Sequence, residues 1–298
     1  MKKKITAALI MAALVVSAAS CGGNNQPAAT TTTAAETTTT AAETTTAAET
    51  TTEATTTTTA EETTEAEEEE EEEEAIDDAI EPMTFEEFSE ADLDSFVLVE
   101  TYVQAKQGWW EDNGVGQASF YTQTDDHGAY FLYNMPCSQE EYESLVPGTK
   151  IKVAGYKAEW SGETEITEAT FEIEEGSFIA EAEDVTALLG TDELEEHKNE
   201  FVSFKGMTIA PIADANGQEA SFLYSWDGSG EDGSDLYFKV TKDDQEFTFT
   251  VESYLCGPGT DVYEAVKALN VGDVVDLEGF LYWYNGANPH ITSVSAAE

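Results

Sequence analysis

An internal repeat constrains the fold of this chain more than any other feature of its sequence. Residues 148–155 read GTKIKVAG, and residues 272–279 read GDVVDLEG. In both stretches two glycines stand seven residues apart, with apolar residues at alternate positions between them, and a further step of seven reaches Gly162 and Gly286. Such self-similarity indicates two copies of one structural unit in the same chain.

Apolar and polar residues alternate around the first copy in the manner of β-strands. The alternation predicts strands at 96–103, 117–122, 129–133, 150–153 and 164–173. A short helix is predicted between the third and fourth of these. Ser138 can cap its first turn, Glu141 stands at the capping-box spacing, and Pro147 and Gly148 end it.

The second copy repeats this order of elements. Strands are predicted at 201–204, 218–224, 235–240, 247–251, 273–281 and 289–294, with helices at 192–198 and 261–269. Ala118–Phe120 matches Ala220–Phe222, which aligns the second strands of the two copies. Cys137 and Cys256 each stand just before the helix of their own copy, which indicates two separate, buried thiols with no disulfide between them.

Three strands, a short helix and two more strands is the element order of the OB-fold, a small Greek-key barrel. The Gly-x-x-ψ-x-ψ-x-Gly stretch after each helix, where ψ is apolar, resembles the fourth-strand signature of OB-folds of the tRNA-anticodon-binding type. The resemblance covers 95–176 and 200–295. It implies an all-β protein with short helices, built as tandem OB-fold-like Greek-key barrels at 84–178 and 179–298. It implies no ligand, because one fold serves many functions.

The N-terminus predicts export and a lipid anchor. Three lysines at positions 2–4 precede an apolar run at 5–19, which is short for a membrane span and typical of a signal peptide. Ala18, Ala19 and Ser20 then lead to Cys21, a pattern that resembles the lipobox of bacterial lipoproteins, with Ala18 where leucine is common. The resemblance implies that residues 1–20 are removed. It also implies that Cys21 carries a lipid and that the protein is held at the extracellular face of the cytoplasmic membrane, at the cell surface. An ordinary signal peptide with a chance cysteine is the alternative.

Residues 21–83 are predicted to be a disordered stalk. Thr, Ala and Glu dominate this stretch, and eight consecutive glutamates occupy 67–74. Such a composition buries too little apolar surface to offset the entropy of ordering. A passive spacer is the first interpretation, and a stalk that carries glycans on its threonines is the second.

The charge balance argues against nucleic acid as a partner. Of the 62 acidic residues 21 precede Asp92, which leaves 41 against nine lysines in the rest of the chain. A protein that binds a phosphate backbone ordinarily does so with Lys and Arg. Neutral glycans, proteins and cations remain as partners.

Large aromatic residues follow the first strand of copy one and the fourth strand of both copies. OB-folds bind ligands near strands two and three and the flanking loops, where rings stack on ligands. The predicted ligand-binding residues are therefore Trp109, Trp110, Trp160, Trp283 and Tyr284. The alternative for each ring is that it plugs the end of a barrel.

One loop has the composition of a calcium site. Residues 227–235 are rich in glycine and carboxylates, which suits Ca²⁺, although Phe238 stands where an EF-hand loop needs an acidic residue. The candidate ligands are Asp227, Glu231, Asp232 and Asp235, and a solvated loop is the alternative. No other cofactor is predicted, because the three histidines have no paired spacing and no zinc motif is present.

No motif predicts a nucleophile, a dinucleotide site or a specific acid–base pair, so the first hypothesis is a non-enzymatic binding protein. Its predicted ligand is an extracellular glycan or protein. A glycan hydrolase that uses two of the many carboxylates is the second hypothesis. A single-stranded nucleic-acid binder is the third.

Overall fold

A computed structural model of the chain describes residues 80–297. These residues all belong to one compact unit, Glu69–Glu298. The predicted signal peptide, Cys21 and most of the predicted stalk lie outside the described residues. No helix among the described residues is long and apolar enough to cross a membrane.

Barrel 1 is a closed OB-fold barrel, as predicted. The strands are β1 (Phe96–Lys106), β2 (Trp110–Asp112), β3 (Val115–Gln123), β4 (Ala129–Pro136), β5 (Thr149–Trp160) and β6 (Glu163–Ser177). The sheet runs in the order β1-β5-β6-β4-β3-β2, and β1 also pairs with β3, which closes it. The third and fifth long strands, β4 and β6, run parallel, whereas their other neighbours are antiparallel.

Two short helices cover the ends of barrel 1. Helix α2 (Gln139–Ser144) begins at Ser138 with the predicted capping box. Helix α1 (Phe85–Glu90) was not predicted, although Thr84 and Glu87 form the same capping box at its start. Lys157 donates hydrogen bonds to the carbonyl oxygens of three residues at the end of α1, which satisfies acceptors that the helix leaves free.

Barrel 2 repeats this topology. The strands are β7 (Glu183–Asp184), β8 (Phe201–Ala210), β9 (Ile212–Ala213), β10 (Glu219–Ala220), β11 (Leu223–Tyr224), β12 (Leu236–Lys242), β13 (Gln245–Val251), β14 (Val274–Phe280) and β15 (His290–Ala296). The sheet runs in the order β11-β12-β13-β15-β14-β8-β7, and β12 also pairs with β8, which closes it. Helix α3 (Asp261–Ala268) lies between the third and fourth barrel strands, and 3₁₀ segments occupy Thr186–Leu188 and Asp192–His197.

The prediction of strand two in barrel 2 was wrong. The second and third barrel strands are β12 and β13, whereas residues 218–224 contribute only the two-residue strands β10 and β11 to a long loop. The match of Ala220–Phe222 to Ala118–Phe120 therefore pairs a loop with a strand. Within this loop β10 pairs with β9 outside the barrel sheet, and β11 adds only two residues to the edge of β12, so the local alternation does not indicate a barrel strand.

The two cysteines among the described residues are free, as predicted, but only one of them is fully buried. Cys137 is buried beside the core of barrel 1, and Cys256 is partly buried beside the core of barrel 2. Burial raises the pKa of both thiols to about 11, so both are protonated at neutral pH.

Candidate binding face and the joint between the barrels

Barrel 2 leaves open the face by which OB-folds take ligands. This face consists of β12, β13 and two loops, 211–235 and 281–289. They enclose an open cleft of about 850 Å³. Six aromatic residues line the cleft. Phe247 and Phe249 lie on the core face of β13. We call the other four the ring platform: Trp226, Tyr237, Trp283 and Tyr284.

Alternation along the strands places the central ring of the platform. Phe238 and Val240 of β12 point into the core of barrel 2, so Tyr237 and Lys239 point outward. Phe247 of β13 stands opposite Val240 in the register, so it lies on the core face of the sheet, half-buried at the edge of the cleft. Alternation along β12 alone could have placed Tyr237 on the platform.

Trp226 is the most exposed large apolar residue of the platform, with three-quarters of its surface free (75%). Hydrogen bonds in the loop define its position: the N–H of Ser225 donates to the carbonyl of Asp235, and the N–H of Gly228 donates to that of Ser225. The only sequence signal for this residue is a tryptophan inside a loop that is otherwise polar and glycine-rich.

The loop 281–289 presents Tyr284 at its tip. The N–H of Tyr284 donates to the Gly286 carbonyl at 2.8 Å, and Gly286 has a φ of 138° that suits glycine. At its base Asn288 accepts a hydrogen bond from the Thr250 hydroxyl at 2.8 Å. Trp283 is half-buried, with the Lys198 ammonium 5.2 Å from its ring centroid.

The platform is apolar in the middle and acidic at its rim. Lys239 is the only cationic side chain among the described residues that line the cleft, and Glu246 pairs with it at 3.1 Å. Asp192 and Glu195 add carboxylates to the rim. Contact with a ligand here therefore depends on rings and hydrogen bonds more than on positive charge.

A second cleft of about 280 Å³ continues the platform across the joint between the barrels. It shares Tyr237, Tyr284 and Asn288 with the first cleft and adds Tyr133 and Trp160. Three of the five predicted rings, Trp160, Trp283 and Tyr284, are thus brought to one continuous surface.

The other two predicted rings lie elsewhere. Trp109 packs against the core of barrel 1, and its indole N–H donates to the carbonyl of Cys137 at 3.0 Å. It plugs the barrel, which was the alternative interpretation. Trp110 is exposed (42%) on the short strand β2, and neither residue lines either cleft.

Barrel 2 covers the corresponding face of barrel 1. The Tyr121 ring of β3 stacks on Phe280 with centroids 4.4 Å apart, and Phe131 of β4 meets Tyr282 edge-on at 5.5 Å. The N–H of Phe201 donates to Gln123 of barrel 1 at 2.9 Å. The ligand face of barrel 1 is therefore covered at Tyr121 and Phe131, whereas that of barrel 2 is open.

Buried titratable groups lie in this joint. Glu163 has no exposed surface. Its carboxylate accepts hydrogen bonds from the side-chain amide of Asn199 at 2.6 Å and from the backbone N–H of Trp283 at 2.7 Å. Burial raises its pKa to about 8 in spite of these donors. Burial also lowers the pKa of His290 to about 3, so its ring is neutral, with Nδ1 2.9 Å from the Tyr121 hydroxyl.

The predicted calcium ligands have separate partners. Asp227 accepts from the Ser229 N–H at 3.0 Å, Asp232 pairs with Lys267 at 2.9 Å, and Asp235 accepts from the Ser253 hydroxyl at 2.6 Å. Among the described residues, the only group of His, Cys, Asp and Glu side chains within metal-binding distance of one another lies at another place. The calcium site stays a prediction.

No protein-family model matches this chain. No curated protein matches it either. Similar solved structures exist. The Ifi202 HINa domain in complex with a 20-base-pair double-stranded DNA is 12% identical, with a TM-score of 0.31, covering 67% of this chain and 98% of its own. A murine DNA-binding protein bound to double-stranded DNA is 13% identical, with a TM-score of 0.31, covering 67% of this chain and 96% of its own.

A third similar structure is a deletion mutant of the single-stranded DNA-binding protein from Thermus aquaticus. It is 14% identical to this chain, with a TM-score of 0.22, and the match covers 68% of this chain and 94% of that one. DNA is the partner named for all three proteins, which contradicts the prediction that nucleic acid is an unlikely partner, although similarity at this level shows the fold alone. The prediction rested on net charge alone, and net charge does not describe the rings of a single face.

Proposed function

We propose that this chain is a non-enzymatic binding protein whose ligand lies on the ring platform of barrel 2. One observation carries the proposal. Four rings from three separate segments converge on the OB ligand face of barrel 2, which the joint leaves open. Aromatic residues around a concave surface with a few polar groups are typical of ligand sites.

The proposed ligand is a polymer of flat rings, and a single-stranded oligonucleotide is the first candidate. Barrels of this fold bind oligonucleotides on this face, and each base stacked on an aromatic side chain contributes about 1–3 kcal/mol. Because Glu246 holds Lys239, the strand would bind through its bases and not through its phosphates.

The acidic rim favours a neutral glycan as the second candidate. Asp192 and Glu195 can accept hydrogen bonds from sugar hydroxyls, and Asn288 adds an amide at the junction of the two clefts. Sugar rings present flat apolar faces that pack on Trp and Tyr in the same way as bases do.

Replacing Trp226 or Tyr284 by Ala is expected to weaken oligonucleotide binding about 5- to 150-fold, because each substitution removes one stacking surface. Fluorescence anisotropy of a labelled oligonucleotide of about 15 nucleotides measures the affinity. Trp110→Ala is the matched control, since it removes an exposed indole outside the platform. If both platform variants bind as tightly as the wild type, the ligand lies elsewhere.

Added salt separates the two ligands in the same assay. An acidic protein that binds an oligonucleotide by stacking should bind it more tightly as salt screens the repulsion of the phosphates. A neutral glycan should show little change. A steep loss of affinity with salt would indicate pairing of phosphates with lysines, and would contradict the stacking proposal.

We also propose that a lipid on Cys21 holds the binding region at the extracellular face of the cytoplasmic membrane. The lipobox-like sequence from Ala18 to Cys21 supports this. Cells grown with a radioactive fatty acid should incorporate label into the protein, and Cys21→Ala should abolish the label. An unlabelled wild-type protein released into the medium would refute the anchor.

A further inference from the structure

Two histidines and two glutamates from three separate stretches of the sequence meet beside the joint of the barrels. The Nδ1 atom of His127 lies 3.4 Å from Oε2 of Glu183. The Nδ1 atom of His197 lies 4.0 Å from the same oxygen and 2.9 Å from Oε2 of Glu200. We call these four residues the His–Glu cluster.

Each member of the cluster stands on a different element. His127 belongs to the turn between β3 and β4 of barrel 1, which the N–H of Thr124 closes by donating to the carbonyl of Gly128. Glu183 lies on β7, where it pairs with Val202 of β8. His197 ends the 3₁₀ segment.

Glu200 follows three residues after His197 and is almost fully buried, with 4% of its surface exposed. The N–H of Glu200 donates to the carbonyl of His197, and its own carbonyl accepts from the N–H of Leu281. The cluster is thus supported by backbone hydrogen bonds on the barrel 2 side and by a closed turn on the barrel 1 side.

We propose that the His–Glu cluster is a zinc site, with His127, Glu183 and Glu200 as ligands. One ligand atom from each of these residues lies within 4.8 Å of the others. In a tetrahedral zinc site the ligand atoms lie about 2.0 Å from the metal, and therefore about 3.3 Å from one another. The 3.4 Å between Nδ1 of His127 and Oε2 of Glu183 already matches this spacing.

The mixture of donors selects the metal. Imidazole and carboxylate suit Zn²⁺, whereas Ca²⁺ and Mg²⁺ prefer sites built of oxygen atoms. His197 is the positioning residue, because its hydrogen bond orients the Glu200 carboxylate. Three protein ligands leave a fourth position for water. Because His127 comes from barrel 1 and the others flank barrel 2, the ion would cross-link the two barrels.

Zinc titration of the full chain in detergent tests this proposal. Isothermal titration calorimetry should find one tight site. When EDTA has first removed any bound metal and has itself been removed, added Zn²⁺ should raise the melting temperature, because a ligand that binds only the folded state stabilises it. Ca²⁺ should not do so. Weak binding of cations to the glutamate run 67–74 would be the same in every variant.

Variants locate the site. His127→Asn and Glu200→Gln should weaken zinc binding by more than about 100-fold, and His197→Ala by about 10- to 100-fold. Glu193→Gln, an exposed carboxylate of the same 3₁₀ segment, is the matched control and should bind like the wild type. Asn is chosen at 127 because it tolerates the φ of 71° found there.

The His127 side chain is mostly exposed (66%), so His127→Asn in EDTA should melt like the wild type. Loss of the zinc effect in this variant therefore cannot come from unfolding. A melting temperature that zinc leaves unchanged, or tight zinc binding that survives His127→Asn, would overturn the proposal.

Discussion

Replacing Phe280 by Ala is expected to lower the free energy of unfolding of the described region by about 3–5 kcal/mol. Phe280 is almost fully buried, stacks on Tyr121 of barrel 1 with ring planes 13° apart, and contacts Phe201 at 5.2 Å. Truncation removes these contacts and leaves a cavity between the barrels that neither can fill. Urea denaturation followed by tryptophan fluorescence measures the loss.

Val274→Ala is the control for this prediction. Val274 lies at the start of the same strand but is half exposed, so its truncation should cost less than about 0.5 kcal/mol. The wild type should unfold in one transition because the barrels share buried rings, and Phe280→Ala should separate the transition into two. An unchanged unfolding curve would mean that Phe280 does not join the barrels.

The stability of the protein is expected to fall as the pH rises from 6 to 9. Burial raises the folded-state pKa of Glu163 to about 8 and those of Glu165 and Glu252 to about 7. The unfolded chain has ordinary carboxyl pKa values near 4.3, so the folded state binds protons more tightly. This stabilisation is complete below the unfolded pKa and is lost as the pH rises through 7–8, by on the order of a few kcal/mol.

His290 acts in the opposite direction. Its folded-state pKa is lowered to about 3, so below about pH 6.5 the unfolded imidazole takes up a proton that the folded one does not. The gain in stability on acidification should therefore become smaller below that pH. Unfolding free energies measured at several pH values give the profile.

Glu163→Gln tests the assignment. The amide cannot titrate. The slope of the unfolding free energy against pH, between pH 6 and 8, should therefore become shallower by up to about 1.4 kcal/mol per pH unit. The variant should be less stable at acidic pH, because the NH₂ of the amide would face a donor from Asn199 or Trp283. A wild-type slope in this variant would show that Glu163 does not carry the effect.

The barrel topology could be predicted from the sequence because the second glycine of each repeated stretch stands where a side chain would clash with the backbone. A Cβ atom on Gly279 would lie 2.1 Å from the carbonyl oxygen of His290, and one on Gly155 would lie 2.8 Å from that of Thr167. At both positions the fourth strand crosses the fifth at a bulge, and only glycine fits. Such a constraint is local, so a single sequence displays it.

The composition of the binding face could be predicted only in part. Trp160, Trp283 and Tyr284 could be predicted because they stand at equivalent places in the two copies. Trp226 could not, because its loop has no counterpart in barrel 1. The covering of Tyr121 by Phe280 depends on how two barrels dock, and periodicity within a strand contains no information on docking.

The same limit applies to the His–Glu cluster. His127 and His197 are seventy positions apart, and neither stands at a spacing that a zinc motif requires. They approach Glu183 only because the turn of barrel 1 reaches the segment that precedes β8 of barrel 2. Contacts of this kind follow from the fold and cannot be read from the chain before the fold is known.

The covered face of barrel 1 has a consequence for how the two copies diverged. After a duplication, both copies begin with the same face, and natural selection for ligand contact acts on both. Since Phe280 and Tyr282 dock on Tyr121 and Phe131, this part of the barrel 1 face would come under selection for fit to its neighbour, and only rings beside the joint, such as Tyr133 and Trp160, would stay free to contact a ligand. The ancestral unit would then have bound its ligand through the surface that now joins the two halves.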